Sequence, residues 1–197
     1  MFKLCQRLSL IALLAVLTAC ANLAAPKVNL VQDGQLQPPA GQGIAVLAFT
    51  AQSFDRDTAE ARLQLDGPAG RQWLQLRLVT DFIRAPGQQS NPSGRLFVLP
   101  LPAGEYRLGN IYGSWRRPGN SFDLFGNWEN VFVPLDQRFT VRAGEVQYLG
   151  EIHLQMNYQS TVDYRQDFAR DQYELQQRHG VSRTENIRQQ PLAKPST

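Results

Sequence analysis

Residues 61–79 read ARLQLDGPAGRQWLQLRLV, and the fold class follows from them. Ala61–Asp66 alternates apolar and polar residues strictly, and Trp73–Val79 alternates again. A period of two puts one side of a strand in the core and the other in water, whereas a helix would repeat every ~3.6 residues. Between the runs, Gly67-Pro68-Ala69-Gly70 supplies turn residues, so the stretch reads as an antiparallel hairpin. Trp73, inside the second run, is expected to pack in the core.

The same grammar extends in both directions. Upstream, Ile44–Thr50 (IAVLAFT) is a compact apolar run consistent with a buried strand. Downstream come Arg95–Leu101 (RLFVLPL), Glu105–Tyr112 (EYRLGNIY), Val131–Val133, Arg138–Arg142 (RFTVR), Glu145–Leu154 (EVQYLGEIHL) and Thr161–Arg165 (TVDYR). Eight or nine short strands with regular turn signals argue for a mainly β chain folded as an antiparallel β-sandwich over residues 43–166. One helix follows over 167–180. Asp167 suits its N-cap, Phe168–His179 lacks Gly and Pro, and Gly180 fits a left-handed stop. Phe168, Gln172 and Leu175 share a face that would pack on the sheet, leaving the Gln- and Arg-rich face wet. Residues 181–197 are polar with two prolines and are expected to trail as a disordered tail.

The N-terminal part reads differently. Lys3 and Arg7 precede the apolar run Leu8–Leu17, too short for a span that needs about 20 apolar residues. This is the pattern of a secretory signal over 1–19. Leu17-Thr18-Ala19-Cys20 resembles the bacterial lipobox, which implies cleavage before Cys20 and lipidation of that cysteine with diacylglycerol and a further acyl chain such as palmitate. Two or more chains give stable anchoring. Ala21 after the cysteine, where Asp would signal retention, resembles an outer-membrane address with the domain facing the periplasm. Residues 20–42 mix Pro, Gly, Gln and Ala and read as the lipidated N-terminus with a flexible tether. Cleavage would remove Cys5, leaving no partner for a disulfide. Loss of Lys3 and Arg7 takes the basic residues from 20 to 18 against 17 acids, so no basic stripe argues for nucleic acid.

A short internal echo carries a second resemblance. Ala103-Gly104-Glu105-Tyr106 and Ala143-Gly144-Glu145-Val146 each launch a strand, with glycine where a turn wants positive φ. Leu99–Tyr106 (LPLPAGEY) looks like a hairpin of transthyretin-like (prealbumin-like) β-sandwich modules. Phe139–Gly150 (FTVRAGEVQYLG) looks like the late hairpin of small bacterial lipoproteins that carry such modules. The resemblance implies a transthyretin-like or Ig-like sandwich that binds, spaces or scaffolds. Fold alone does not specify the task.

No catalytic or metal signature is found in the sequence. His153 and His179 fall in different elements, and His153 reads as a surface or edge histidine. Ser114, Asp123 and His153 make a triad only on paper, without a G-x-S-x-G elbow. The acid pairs Asp55/Asp57 and Glu145/Glu151 read as solvated. The reading is therefore non-enzymatic, with no cofactor and no metal.

The segment Gly113–Asn130 (GSWRRPGNSFDLFGNWEN) is the most unusual. It gathers Trp115, Arg116, Arg117, Phe122, Phe125 and Trp128, groups that give contact area and directed hydrogen bonds at interfaces. A long loop in a small domain is often functional. These six are the candidate binding residues, unless the aromatics fold inward and the loop is partly strand. The resulting expectation is a lipid-anchored binding or scaffold module contacting another envelope component, a protein in the first instance. The alternative is a carbohydrate- or lipopolysaccharide-binding module that uses the 113–130 aromatics. A glycan site would need a Trp face open to solvent; a protein site would need a wider apolar patch.

Overall fold

A computed structural model describes residues 29–117 and 127–194. The signal segment, Cys20, Phe122, Phe125 and Asp123 lie outside the described residues. Among the described residues the chain is mainly β, with two main sheets and one short helix near the C-terminus. The strands are β1 (Val31–Gln32), β2 (Gln35–Leu36), β3 (Gln42–Ser53), β4 (Glu60–Gly67), β5 (Gly70–Arg77) and β6 (Gly94–Pro102). They continue with β7 (Gly104–Arg117), β8 (Asn127–Val141), β9 (Val146–Met156), β10 (Thr161–Arg165) and β11 (Ile187–Gln189). Helix α1 spans Phe168–Glu174 and runs into a π-helical turn, Leu175–His179.

The first sheet has the order β10-β9-β3-β6, with β11 also on β9; the second is β5-β4-β7-β8. Pairing is antiparallel throughout the second sheet. In the first, β3 and β11 both lie parallel to β9, so that sheet is mixed. The hairpin forms, with Gly67 facing Gly70 and a second strand that runs Gly70–Arg77 rather than Trp73–Val79. Leu63, Leu65, Leu74 and Leu76 point from it to the inter-sheet core, against Leu47, Phe49, Ile152 and Leu154.

The run IAVLAFT is apolar on every residue because both its faces are covered, the burial that continuous apolar strands normally report. Ala45, Leu47 and Phe49 face the second sheet, while Ile44, Val46 and Ala48 face a second core outside the first sheet. Leu36, Ile83, Leu175, Val181 and Ile187 close that outer core. This corrects both ends of the expected organisation. Residues 29–42 are not a free tether: β1 and β2 pair, Leu36 is fully buried, and the Leu36 carbonyl accepts from Asn186 Nδ2 at 2.7 Å. Residues 181–194 are not a loose tail: β11 adds a strand to β9, and the Gly34 carbonyl accepts the amides of Ser182 and Arg183. Each segment alone lacks a core, and each finds one in the other.

Asp167 caps α1, its carboxylate accepting from the Arg170 amide at 3.1 Å, and Gly180 stops the turn at φ 73°. Gly104 and Gly144 both take positive φ before β7 and β9. The helix face is corrected. Gln172 is exposed, and the side turned to the sheet carries Arg170, Asp171 and Glu174 beside Leu175.

All of the described part of 113–130 is strand. Gly113–Arg117 continues β7 and Asn127–Asn130 opens β8, paired from Gly113↔Val131 to Arg117↔Asn127. Val131–Val133 and Arg138–Arg142, expected as separate strands, fall almost wholly within the single β8, where Asp136 takes φ 53° near a register shift.

Candidate functional site

The outer face of the second sheet is open. The side chains there follow from register, since directly opposed residues of an antiparallel pair share a face. One row crosses all four strands as Gln75, Arg62, Tyr112 and Phe132. The next row holds Arg77, Glu60, Ser114 and Asn130. Beyond it Trp128 sits opposite Arg116, and on the other side Trp73 sits opposite Gln64. The two middle rows line an open cleft of about 580 Å³.

Aromatic groups organise this face. Trp73 and Tyr112 meet edge-on with centroids 5.7 Å apart, and Tyr112 meets Phe132 at 5.4 Å. The Arg62 guanidinium lies 5.0 Å from the Trp73 ring and 5.5 Å from Tyr112, within cation–π range of both. Trp73 is 37% exposed, Trp128 58% and Phe132 59%. Three large rings open to water on one face are the observation that needs explaining, because buried apolar side chains need none. Each ring has polar neighbours, so the face alternates apolar surface with donors and acceptors.

The six residues expected to form a site separate. Trp115 is fully buried in the inter-sheet core, its ring tilted against Phe54 and edge-on to Tyr158 with centroids 5.6 Å apart, so it offers no open surface to a ligand. Its indole Nε1 has no hydrogen-bond partner among the described residues. Residue 115 alternates inward as Ser114 and Arg116 alternate outward, so the strand's own period removes it from the set. Trp128 and Arg116 do lie on the open face. Arg117 pairs with Glu129 at 3.6 Å. Phe122 and Phe125 lie outside the described residues.

Trp73, expected in the core, is on the open face instead, and the sequence carried the signal. Leu74, Leu76 and Leu78 set the buried phase; Trp73 shares the opposite phase with Gln75 and Arg77. Tyr112 and Phe132 were legible in the same way only once their strand partners were known.

A second polar constellation lies under α1. His153 is not at a surface or an edge: β9 is paired on both sides, and the ring is buried. Its Nδ1 lies 2.7 Å from Thr50 Oγ1, whose hydroxyl proton is donated to Glu151. Glu151 accepts from Arg170 Nη1 at 3.0 Å; Asp171 accepts from Arg170 at 2.6 Å and 2.8 Å and from the Tyr148 hydroxyl at 2.6 Å. So Glu151 is not solvated either. Burial works against its ionisation, but His153, Arg170 and Thr50 outweigh it and bring the carboxyl to about 2. Burial pushes Asp171 up to about 6 against the pull of Arg170. A hydroxyl on an imidazole has the look of a nucleophile and base. Thr50 is fully buried, and neither it nor His153 lines the open cleft. The cluster satisfies charges that α1 buries; it is architecture.

Among the described residues, no group of three or more His, Cys, Asp and Glu is placed to hold a metal ion. The chain matches no family model, no curated protein and no solved structure.

Proposed function

We propose that this protein is a non-enzymatic carbohydrate-binding module of the bacterial envelope, held to the membrane by lipid on Cys20 and presenting the outer face of the β5-β4-β7-β8 sheet. The observation that carries the reading is the set of solvent-open rings Trp73, Trp128 and Phe132 interleaved with Gln75, Arg62, Glu60, Ser114 and Asn130. A sugar presents apolar C–H surface ringed by hydroxyls. It is matched by an aromatic face with donors and acceptors beside it. A protein partner would ask for a wider unbroken apolar core, with charged residues depleted at its centre. Here Arg62 and Glu60 stand at the centre of the face, which favours a glycan over a docked protein. The open cleft, spanning strands rather than closing over a ligand, suits a chain that passes across it. The lipobox reading supplies the address: an outer-membrane anchor, with the face turned to periplasmic glycans.

The test uses the full-length lipidated protein in detergent against an immobilised panel of envelope glycans. Trp73→Ala and Trp128→Ala are each expected to weaken retention about tenfold, equivalent to about 1.4 kcal/mol, with thermal melting unchanged. Retention unaffected by both variants, or none by the wild type, would overturn the reading.

A further inference from the structure

We infer that the glycan on this face is acidic, and that Arg62 and Arg77 read its anionic groups. The inference rests on the carbohydrate reading and specifies its ligand. Its basis is a contrast among the arginines of one sheet. Three peripheral arginines are matched, Arg71 with Asp66 at 2.8 Å, Arg107 with Asp136 at 2.6 Å and Arg117 with Glu129 at 3.6 Å, while Arg138, opposite Arg107, stands away from the cleft and from its rings. At the centre, Arg62 and Arg77 both line the cleft, and neither has a carboxylate within ion-pair distance among the described residues. Arg62 stands opposite Gln75 in the ladder, and Arg77 is two residues on along the same strand. The two guanidinium groups are therefore diagonal neighbours on one face, close enough for a single chain to meet both.

The surroundings define what such a pair can hold. Arg62 is propped between Trp73 and Tyr112, which fixes its planar fork at the surface rather than leaving it to sweep solvent. A planar, pre-positioned fork suits bidentate binding of carboxylate or phosphate. The rings that prop it offer apolar surface on either side, so the anion is one carried by a ring-bearing chain and not a free ion. Glu60 faces Arg77 across the ladder and lines the same cleft without pairing with it. Its carboxylate accepts hydroxyls and not acids, which requires the ligand to bring sugar hydroxyls as well as anionic groups. An anionic polysaccharide meets all three demands. A neutral glycan leaves two arginines idle, and an acidic protein leaves Glu60 opposed.

The deciding experiment measures binding of the full-length protein to polygalacturonate, alginate and phosphomannan as acidic probes. Methyl-esterified polygalacturonate, dextran and chitin oligomers are the neutral probes, all at low and high salt. The expected result is binding of acidic probes that falls with salt, loss on methyl esterification, and about tenfold weakening by Arg62→Gln or Arg77→Gln, as for a charge-assisted hydrogen bond. Since removing Arg62 also unprops Trp73, Arg77→Gln serves as the variant with no ring contact. Neutral probes bound as well as acidic ones, without salt dependence, would overturn the acidic assignment and leave the carbohydrate reading standing. No probe bound by folded wild type, or an envelope protein captured through these residues instead, would overturn both.

Discussion

Both main sheets have an outer face, and the chain treats the two in opposite ways. Outside the first sheet, residues 29–42, α1 and residues 181–189 cover every central strand, and even charged groups are buried there. Outside the second, nothing among the described residues covers Trp73, Phe132 or Trp128. Burying Arg170 and Asp171 is costly, and replacing such groups by apolar ones is often neutral or stabilising. Exposing three large rings forgoes burial that would contribute about 25 cal/mol per Å². A chain that closes one face over charges with its terminal segments, and leaves aromatics bare on the other, supports the proposal that the bare face is the working surface.

That contrast can be broken first at its interior. Trp115 and Trp128 sit on the two strands of one hairpin and look alike in sequence. Trp115→Ala should cost about 3–5 kcal/mol as a core cavity, read by denaturant unfolding, and Trp128→Ala should cost far less. Equal costs would mean that the two sides of the hairpin are not distinct.

Next is the covered face. Arg170→Met strands Glu151 and Asp171, and breaking a buried pair costs about 3–5 kcal/mol. The lower end is expected, because Asp171, already raised to about 6, can take up a proton in relief. If the melting temperature is unchanged, the cluster is not holding α1.

The same cluster predicts a pH profile. Asp171 is raised in the folded state from 3.8 to about 6, so the folded protein binds its proton first and stability rises as pH falls through that window. Glu151 is lowered from 4.5 to about 2, so its stabilisation is present above 4.5 and is lost as pH falls towards 2. Melting followed against pH should therefore climb below neutrality, peak at about pH 4–5, and fall beyond. Asp171→Asn should remove the climb and Glu151→Gln the fall.

The smallest stability effect is expected on the open face. Trp73→Ala and Phe132→Ala should stay within about 0.5 kcal/mol of wild type, as surface substitutions do. A cost of core size would mean that these rings serve the fold.

The sequence made the second sheet legible because its evidence is local. Alternation in 61–79 fixes strand, turn and face within one stretch, and the phase of the leucines places even Trp73 outside. IAVLAFT likewise announces burial on both sides. What stayed hidden depended on distant partners. Gln35 meets Glu185 across 150 residues, so neither the ordered N-terminal hairpin nor the docked C-terminal segment leaves a local trace. Arg170, Asp171 and Glu174 look like a wet helical face until Tyr148 and Glu151 on β9 are seen beneath them. The open aromatic face was hidden for a related reason. Aromatic density is highest in 113–130, whereas the open surface is assembled row by row from four strands.

The most direct measurement is hydroxyl-radical footprinting of the full-length protein, purified and in the cells that make it. In the purified protein Trp73, Phe132 and Trp128 should label readily while Trp115 and Tyr148 do not. In the cells, protection should appear on those three rings and on Tyr112. Labelling that is the same in both states, or protection at Phe54 and Tyr158 with Trp73 still bare, would contradict the assignment of the open sheet as the binding face.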